Sequence, residues 1–369
     1  MIYFDCNSTT KLASQALEKM KEAYQLPLNS SAIHNFGRIA NKIVGDARSE
    51  LKNLLNAENY EVIFTSSATE ANNTTFFGLD VDLILFSKIE HVSVYNCRPE
   101  NKKIIEIEVL ANGLINFTDL EEKIETASNQ KFLVSVMLAN NETGAIQEIE
   151  KIAKLTHQKG GLIHCDIVQG VGKIEVDLEK LNIDFASVSA HKFNGPQGAA
   201  ALLMRKGLDI KPLIYGGKQE KSKRSGTLNI AAIAGFGEAC KLAKSKISNY
   251  NEVTKLRDFL ESEIQEIAGD DVIIFSKSIA RLPNTSYIAL KNADNQTQLI
   301  NFDLNGILVS AGAACSSGSL IESRVLKAMQ VGSEFSNSAI RVSLGFENNI
   351  NEVKKFIQVW SEFYKRNKK

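Results

Sequence analysis

The chain has 369 residues, and its 44% hydrophobic and 23% charged fractions are typical of a globular protein large enough for more than one domain. Lysine plus arginine and aspartate plus glutamate number 43 each, so the charge balance argues against a nucleic-acid-binding or membrane-binding surface. The five cysteines include no C-x-x-C pair, which argues against a disulfide framework and a cysteine-rich zinc site and favours a reducing cytoplasmic setting.

Residues 1–15 contain no basic segment followed by an apolar one, and no run of about 18 apolar residues occurs, so neither a secretory signal nor an ordinary membrane span is predicted.

Two helices are predicted near the start of the chain. Residues 11–26 and 37–55 each repeat apolar side chains at helical spacing. The face that the first helix is expected to bury consists of Leu12, Ala16, Leu17, Met20 and Tyr24.

Short apolar runs of strand length follow, and helical segments separate several of them. One of these segments opens with a predicted capping box from Thr118 to Glu121. Alternating strands and helices predict a mostly parallel sheet covered on both faces, which is an α/β fold. The predicted strands lie at residues 61–65, 82–87, 103–109, 132–139, 161–166, 184–190 and 198–205.

The pattern changes in the second half of the chain. Residues 228–267 predict one long helix, and shorter strands and a closing amphipathic helix follow it. We therefore expect a large α/β domain at residues 15–250. A smaller α+β domain is expected from residues 1–14 together with 251–369.

Polar side chains follow the predicted strands, and ligands of parallel sheets bind at such strand ends. The turn at "SSATEANN" offers free backbone N–H groups and the Thr69 hydroxyl to a phosphate, although plain helix capping explains it too. His91 is a structural or a catalytic histidine, and Asn140 and Asn141 are turn residues or ligand donors.

Asp166 and Lys192 are more informative. Asp166 ends an apolar run, where a carboxylate needs a cationic partner, and no lysine or arginine lies beside it in the sequence. Lys192 follows the next strand, as a surface lysine or as an amine placed to form a Schiff base. Together they match pyridoxal phosphate (PLP), which needs a lysine for its aldehyde, an acid for its ring nitrogen and donors for its phosphate.

The chain resembles the class V family of PLP-dependent enzymes, and within it the cysteine desulfurases of the NifS/IscS type. The motifs that carry the resemblance are "IYFDCNSTT", "SSATEANN", "EHVSV", "NNETG", "HCDIVQGVGKI", "SAHKFNGPQG", "RSGTLN", "SAGAACSSGS" and "IRVSLG". The resemblance implies the PLP-dependent transferase fold type I. It also implies a homodimer, with Thr227 reaching the phosphate of the partner subunit.

The resemblance further implies a role for each matching residue. Lys192 would bind PLP covalently, Asp166 would pair with the ring nitrogen, Gln169 would contact the ring oxygen, and His91 would stack on the ring. The cofactor-binding set also includes Ala68, Thr69, Asn141, Ser189, Ala190 and His191. Asn141 and Arg341 would hold the carboxylate of the substrate, Arg341 by a bidentate pair.

Cys315 would be the nucleophile that takes sulfur from L-cysteine, which leaves a persulfide on Cys315 and releases alanine. Its neighbours Gly312 and Gly318 permit motion, which passing the sulfur to an acceptor protein requires. An iron–sulfur scaffold protein is the expected acceptor, and Cys315 is a possible transient cluster ligand with it. No other metal site is expected.

Several residues depart from the family pattern. Ser30 stands where proline is usual, Ala190 where glycine is usual, and Lys221 and Ser222 where arginine and glycine are typical. Since the last two lie near the phosphate site expected at the dimer interface, cofactor affinity is the property most exposed to change. Two alternatives stay open: another class V reaction, such as selenocysteine lysis or transamination, and a paralogue impaired in catalysis.

Overall fold

The structure is a computed structural model that describes residues 1–127, 129–311 and 323–368. The strands are β1 (Ile2–Tyr3), β2 (Tyr60–Thr65), β3 (Leu83–Ser87), β4 (Lys103–Ile107), β5 (Phe132–Ser135), β6 (Leu162–Asp166), β7 (Phe185–Ser189), β8 (Ala200–Arg205), β9 (Val272–Ile274), β10 (Thr285–Leu290), β11 (Ile307–Leu308) and β12 (Ile340–Ser343). No helix within the described ranges has both the length and the apolar character needed to cross a membrane.

The helices alternate with these strands through much of the chain. They are α1 (Ser14–Tyr24), α2 (Asn35–Leu55), α3 (Ala68–Gly78), α4 (Val92–Tyr95), α5 (Phe117–Ala127), α6 (Ile149–Gln158), α7 (Leu178–Leu181), α8 (Ile230–Lys246), α9 (Tyr250–Ala268), α10 (Asn295–Leu304), α11 (Arg324–Ala328), α12 (Ser333–Ser336) and α13 (Ile350–Asn367). Short 3-10 turns lie at Ala190–Lys192, Gln219–Ser222, Ile247–Asn249 and Gly269–Asp271.

Within the described residues, the largest sheet has seven strands in the order β2-β8-β7-β6-β5-β3-β4. The strands β7, β6, β5, β3 and β4 run parallel, whereas β8 is antiparallel to both of its neighbours. The predicted α/β fold with a mostly parallel sheet is therefore confirmed. Because β3, β5, β6 and β7 are parallel, their carboxyl ends meet at one edge of the sheet.

The N-terminal residues and the chain from about residue 250 onward form a second group of strands and helices with its own hydrophobic core. Strands β12, β10 and β9 form an antiparallel sheet, and β1 pairs in parallel with β11. The hydrophobic cluster here takes Phe4 from the N-terminus and otherwise draws on residues from Tyr250 onward, including Trp360. This cluster supports the domain boundaries at 14/15 and 250/251, which we keep as a proposal.

Three local predictions were wrong. The long helix over 228–267 is two helices, because a 3-10 turn at Ile247–Asn249 interrupts it, at a Ser-Asn pair of low helix propensity. The capping box at Thr118 is absent, because α5 begins earlier and the Asn116 side chain accepts from the backbone N–H groups of Thr118 and Asp119.

The third concerns the buried face of α1. Leu17 and Tyr24 are 39% and 69% exposed, although the apolar spacing placed both on the buried face. The helix packs against α8 and buries the small side chains of Ala16 and Ala23 instead. Small residues permit a close approach of two helices, and apolar spacing alone does not distinguish them from larger ones.

Candidate active site

A cavity of about 240 Å³ opens at the sheet edge where β3, β5, β6 and β7 end. Most of the residues predicted from the sequence meet here. The predicted residues that line it are Ala68, Thr69, His91, Asn141, Asp166, Gln169, Ser189, His191 and Lys192. Ser67, Ser93, Met137 and Val168 complete the lining.

Lys192 lies in the 3-10 turn that follows β7. Its Nζ donates hydrogen bonds to the backbone carbonyl oxygens of Asn7 at 2.8 Å and Ser8 at 2.6 Å. Burial and, to a smaller degree, the charge of Arg341 together lower the pKa of Lys192 to about 8, against the opposing charges of Asp166 and Asp5. A substantial fraction of this amine is therefore neutral and nucleophilic near physiological pH.

Asp166 is the last residue of β6 and is 6% exposed. Its Oδ2 accepts from Asn72 Nδ2 at 3.0 Å, and its Oδ1 accepts from the backbone N–H of Val168 at 3.0 Å. No cationic side chain in the described ranges forms an ion pair with it. A buried carboxylate that is held by neutral donors fits a cationic group inside the cavity.

His91 caps the short helix α4. Its Nδ1 accepts from the backbone N–H of Ser93 at 3.2 Å and lies 2.8 Å from Ser93 Oγ. Desolvation lowers the pKa of His91, partly opposed by the charge of Asp166. The ring is therefore neutral at neutral pH, and a neutral aromatic ring suits stacking on another ring.

The N-terminus of α3 forms the side of the cavity that suits an anion. Ser67 caps this 11-residue helix by accepting from the backbone N–H of Glu70, and the N–H of Ala71 donates to Ser67. The N–H groups of Ala68 and Thr69 have no acceptor within the described part of the chain. Free amide donors and the helix dipole together bind phosphate groups.

Ser189 and His191 line the same cavity from the end of β7. Burial lowers the pKa of His191 to about 4, and the charge of Lys192 contributes. The His191 ring is thus neutral, and its Nδ1 lies 3.2 Å from Thr9 Oγ1. A neutral imidazole keeps one N–H donor, so His191 can add an uncharged hydrogen bond to those of the α3 amides.

Arg341 is on β12, where it contacts Asn141 but does not line the cavity. It is 3% exposed, and its Nη1 donates to the backbone carbonyl of Asn141 at 3.0 Å. Its Nη2 donates to Asp5 Oδ1 at 2.6 Å and to Ser8 Oγ at 2.8 Å. The Nε atom has no partner in the described ranges.

The remaining predicted residues lie elsewhere. Ala190 is fully buried below the cavity, and it is not among the described residues with positive φ, so its replacement of glycine needs no left-handed backbone. Thr227 is exposed and does not line the cavity of its own chain. Cys315 lies outside the described residues.

The loop that leads to Thr227 is linked by an ion pair to helix α3, whose first backbone N–H groups line the cavity. Arg224 donates from Nε to Glu70 Oε1 at 2.8 Å, and the Glu70 Oε2 accepts from Ser66. Upstream in the same loop, Lys221 and Ser222 both have left-handed backbones, with φ of +54° and +67°. Ser30 lies in a separate cavity that this loop also lines.

Sequence reasoning missed three buried polar residues that support the site. Asn72 holds Asp166, Asn7 accepts from Lys192, and Lys173 donates to both Asn7 and Gln169. Asn72 lies within the "SSATEANN" motif, and Lys173 follows Gln169 by four residues, so the local sequence carries a weak signal for these two. Asn7 reaches the site only through the tertiary fold.

Comparisons with known proteins agree with this arrangement. The family model described as aminotransferase class-V matches residues 2–356. A cysteine desulfurase IscS of Dictyoglomus turgidum is 37% identical over 93% of this chain and 89% of its own length. A cysteine desulfurase of Cereibacter sphaeroides is 37% identical over 97% and 94%. The crystal structure of a NifS-like protein from Rickettsia africae has a TM-score of 0.92 and 39% identity, and 99% of each chain is covered.

Proposed function

This chain belongs to the class-V aminotransferase family and to the cysteine desulfurases within it, and we propose that it takes sulfur from L-cysteine with PLP as cofactor. The products are L-alanine and a persulfide on Cys315. The observation that carries the proposal is that Lys192 and Asp166 line one cavity: a partly buried amine of lowered pKa and a buried carboxylate without an ion-pair partner in the described ranges.

The residues present fit PLP. Asp166 supplies the negative charge that a protonated ring nitrogen needs, and Lys192 supplies the amine for the aldehyde. The free N–H groups of Ala68 and Thr69 supply phosphate donors, with Ser189 and His191 beside them. His91 would stack on the ring, and Gln169 would contact the ring oxygen.

PLP, when bound, draws electrons away from the Cα–H bond of an amino acid. Lys192 holds or moves the proton at Cα, because its lowered pKa of about 8 lets it both accept and return a proton near neutral pH. The peptide carbonyls of Asn7 and Ser8 fix the position of this amine. The α-carboxylate of L-cysteine would bind Asn141 and Arg341, which already contact each other.

The sulfur transfer is assigned to Cys315 from the sequence. Its thiolate attacks the sulfur of L-cysteine, so that an S–S bond forms as the Cβ–S bond of the substrate breaks. The Cβ takes up a proton, balanced by the one that the substrate thiol loses, and becomes the methyl group of alanine, while the two sulfur atoms are oxidised to the persulfide level. The step needs no external oxidant, since the electrons pass from sulfur to carbon within the reacting pair.

The finer assignments belong to this proposal as well. The chain acts as a homodimer in which Thr227 reaches the phosphate of the partner subunit, and its exposure in the present structure is compatible with that role. An acceptor protein of the iron–sulfur scaffold type takes the sulfur, in the cytoplasm.

The test is to incubate the purified protein with PLP, L-cysteine and a reductant and to measure alanine and sulfide. We expect equal amounts of both, and loss of sulfide formation in Cys315→Ala. The matched control is Cys97→Ala, because Cys97 is buried at 3% exposure away from the cavity and its loss should leave turnover unchanged. Turnover that persists in Cys315→Ala, or a PLP-bound protein without turnover, would contradict the proposal.

A further inference from the structure

Lys173 is a buried lysine that the proposed reaction does not use. It is 1% exposed, and its Nζ donates to Asn7 Oδ1 at 2.8 Å and to Gln169 Oε1 at 2.7 Å. Neither partner is a carboxylate, and no ion pair of Lys173 occurs in the described ranges. A buried amine without a counter-charge is expensive, so its presence needs an explanation.

The hydrogen bonds suit a neutral amine. Burial lowers the pKa of Lys173 well below its ordinary value, and the charge of Lys192 lowers it further. A neutral amine has two N–H bonds, and both acceptors of Lys173 are side-chain amide oxygens. Lys173 therefore donates one N–H to each of these two amides.

The first consequence concerns Gln169. Since Gln169 Oε1 accepts from Lys173, its nitrogen must face the other way, and Nε2 donates to the backbone carbonyl of Asn7 at 3.0 Å. The second N–H of Nε2 has no acceptor within the described part of the chain, and Gln169 lines the cavity. A flipped amide would turn its oxygen toward the carbonyl oxygen of Asn7 and leave the N–H of Lys173 without its acceptor, so the two contacts together favour the amide that presents an N–H to the cavity.

The second consequence concerns Asn7, which is 1% exposed. Its Oδ1 accepts from Lys173, and its Nδ2 donates to Thr285 Oγ1 at 2.9 Å. Its backbone carbonyl accepts from both Gln169 Nε2 and Lys192 Nζ. The buried amine of Lys173 therefore holds both residues: Asn7, whose carbonyl contacts the Lys192 amine, and Gln169, which lines the cavity.

We propose that Lys173 is a positioning residue that orients the Gln169 amide as a donor to the PLP ring oxygen and, through Asn7, fixes Lys192. This inference rests on the proposed PLP site and goes beyond it, because Lys173 itself lines no part of the cavity. It acts only through the two amides.

A merely structural role predicts something different. Lys102 is also a buried lysine, at 7% exposure, and its Nζ donates to the backbone carbonyls of Phe76 and Leu79, each at 2.6 Å. It is absent from the cavity lining. If Lys173 only filled space and satisfied acceptors, its replacement would resemble replacement of Lys102.

The experiment is a double-mutant cycle on PLP binding by the full-length protein. The variants are Lys173→Met, Gln169→Ala, their combination, and the matched control Lys102→Met. Lys173→Gln serves as a second variant in case the methionine variant does not fold. Each is titrated with PLP to obtain Kd, and the absorption maximum of the bound cofactor is recorded.

We expect Lys173→Met and Gln169→Ala each to weaken PLP binding about tenfold, which is the loss of one oriented hydrogen bond. Because Lys173→Met already removes the oriented contact of Gln169, the combined variant should bind PLP within about twofold of Lys173→Met. The absorption maximum should shift in the same direction in both and stay unchanged in Lys102→Met.

Additive losses in the combined variant would overturn the inference, as would an unchanged Kd and spectrum in both Lys173 variants. These outcomes are distinct from failure of the proposed function. If the unsubstituted protein binds no PLP, the proposed function fails and this inference fails with it. If it binds PLP and Lys173→Met does too with equal affinity, only the inference fails.

Discussion

Asp5 accepts a hydrogen bond from Arg341 Nη2 at 2.6 Å, so the arginine proposed to bind the substrate carboxylate is already paired with a carboxylate of its own chain. Ser8 Oγ takes the second hydrogen of the same nitrogen. Only Nε and part of Nη1 remain for a substrate. The bidentate pair predicted from the sequence therefore requires Asp5 or Ser8 to release Nη2.

The first prediction follows from this competition. Asp5→Asn keeps an oxygen acceptor but removes the charge, so the KM for L-cysteine should fall two- to fivefold, roughly the effect of a partly exposed ion pair of about 1 kcal/mol. The measurement is KM from initial rates at fixed pH. Asp46→Asn is the control, since Asp46 pairs with Lys42 on the surface. A higher KM in Asp5→Asn would show that Asp5 orients Arg341 for the substrate.

The second prediction concerns the support of Asp166. Asn72→Ala removes the side-chain donor to its Oδ2, and a hydrogen bond to a charged group contributes about 1.5–3 kcal/mol. We expect PLP binding to weaken at least tenfold, measured as Kd in a fluorescence titration. Thr75→Ala is the control on the same helix, because the Thr75 hydroxyl bonds only the helix backbone at Ala71. Equal losses of PLP affinity in both variants would show that Asn72 acts through folding and not by holding Asp166.

The third prediction uses the left-handed turn before Arg224. Glu220, Lys221 and Ser222 have consecutive φ values of +48°, +54° and +67°, and a non-glycine residue loses about 1–2 kcal/mol in this conformation. Ser222→Gly should therefore stabilise the protein, less the entropy that glycine adds to the unfolded chain, leaving a gain of about 0.5–1 kcal/mol.

The check is the urea midpoint of unfolding at equal slope. Ser222→Ala is the matched control, because alanine retains the Cβ that causes the strain and should not raise the midpoint. If Ser222→Ala raises the midpoint equally, the stabilisation comes from removing the serine hydroxyl and not from relieving backbone strain.

The fourth prediction is a pH dependence of cofactor capture. The neutral amine of Lys192 is the nucleophile, and burial together with the charge of Arg341 lowers its pKa from 10.5 to about 8. The rate of PLP capture by the cofactor-free protein should thus rise with pH and level off above about 8, well below the range of an exposed lysine. Stopped-flow absorbance measures this rate.

A control variant at Arg341 tests how much its positive charge contributes to the lowered pKa of Lys192. Because Arg341 lowers the pKa of Lys192, Arg341→Gln should move the rise in capture rate to higher pH. A profile that stays in place would mean that burial alone lowers the pKa.

Much of this architecture could be predicted from short-range patterns. The apolar runs that end at Asp166 and Ser189 are buried strands, and the strand-end rule brought His91, Asp166 and Lys192 into one cavity. Such patterns depend on residues close together in sequence.

The features that sequence reasoning missed depend on distant contacts. Asn7 meets Thr285 and Lys192 across long stretches of chain, and nothing local to "DCNSTT" indicates a carbonyl shared by two donors. Likewise, Leu17 looks buried by periodicity, but packing of α1 on α8 selects the small residues. Long-range packing decides such cases.

The central claim is that Lys192 carries PLP covalently. The direct measurement is to saturate the purified protein with PLP, reduce it with borohydride and identify the modified peptide by mass spectrometry. We expect a pyridoxyl group on Lys192 alone. Modification of Lys173, a buried lysine near the site whose pKa is also lowered by burial, or no modification at all would contradict this assignment.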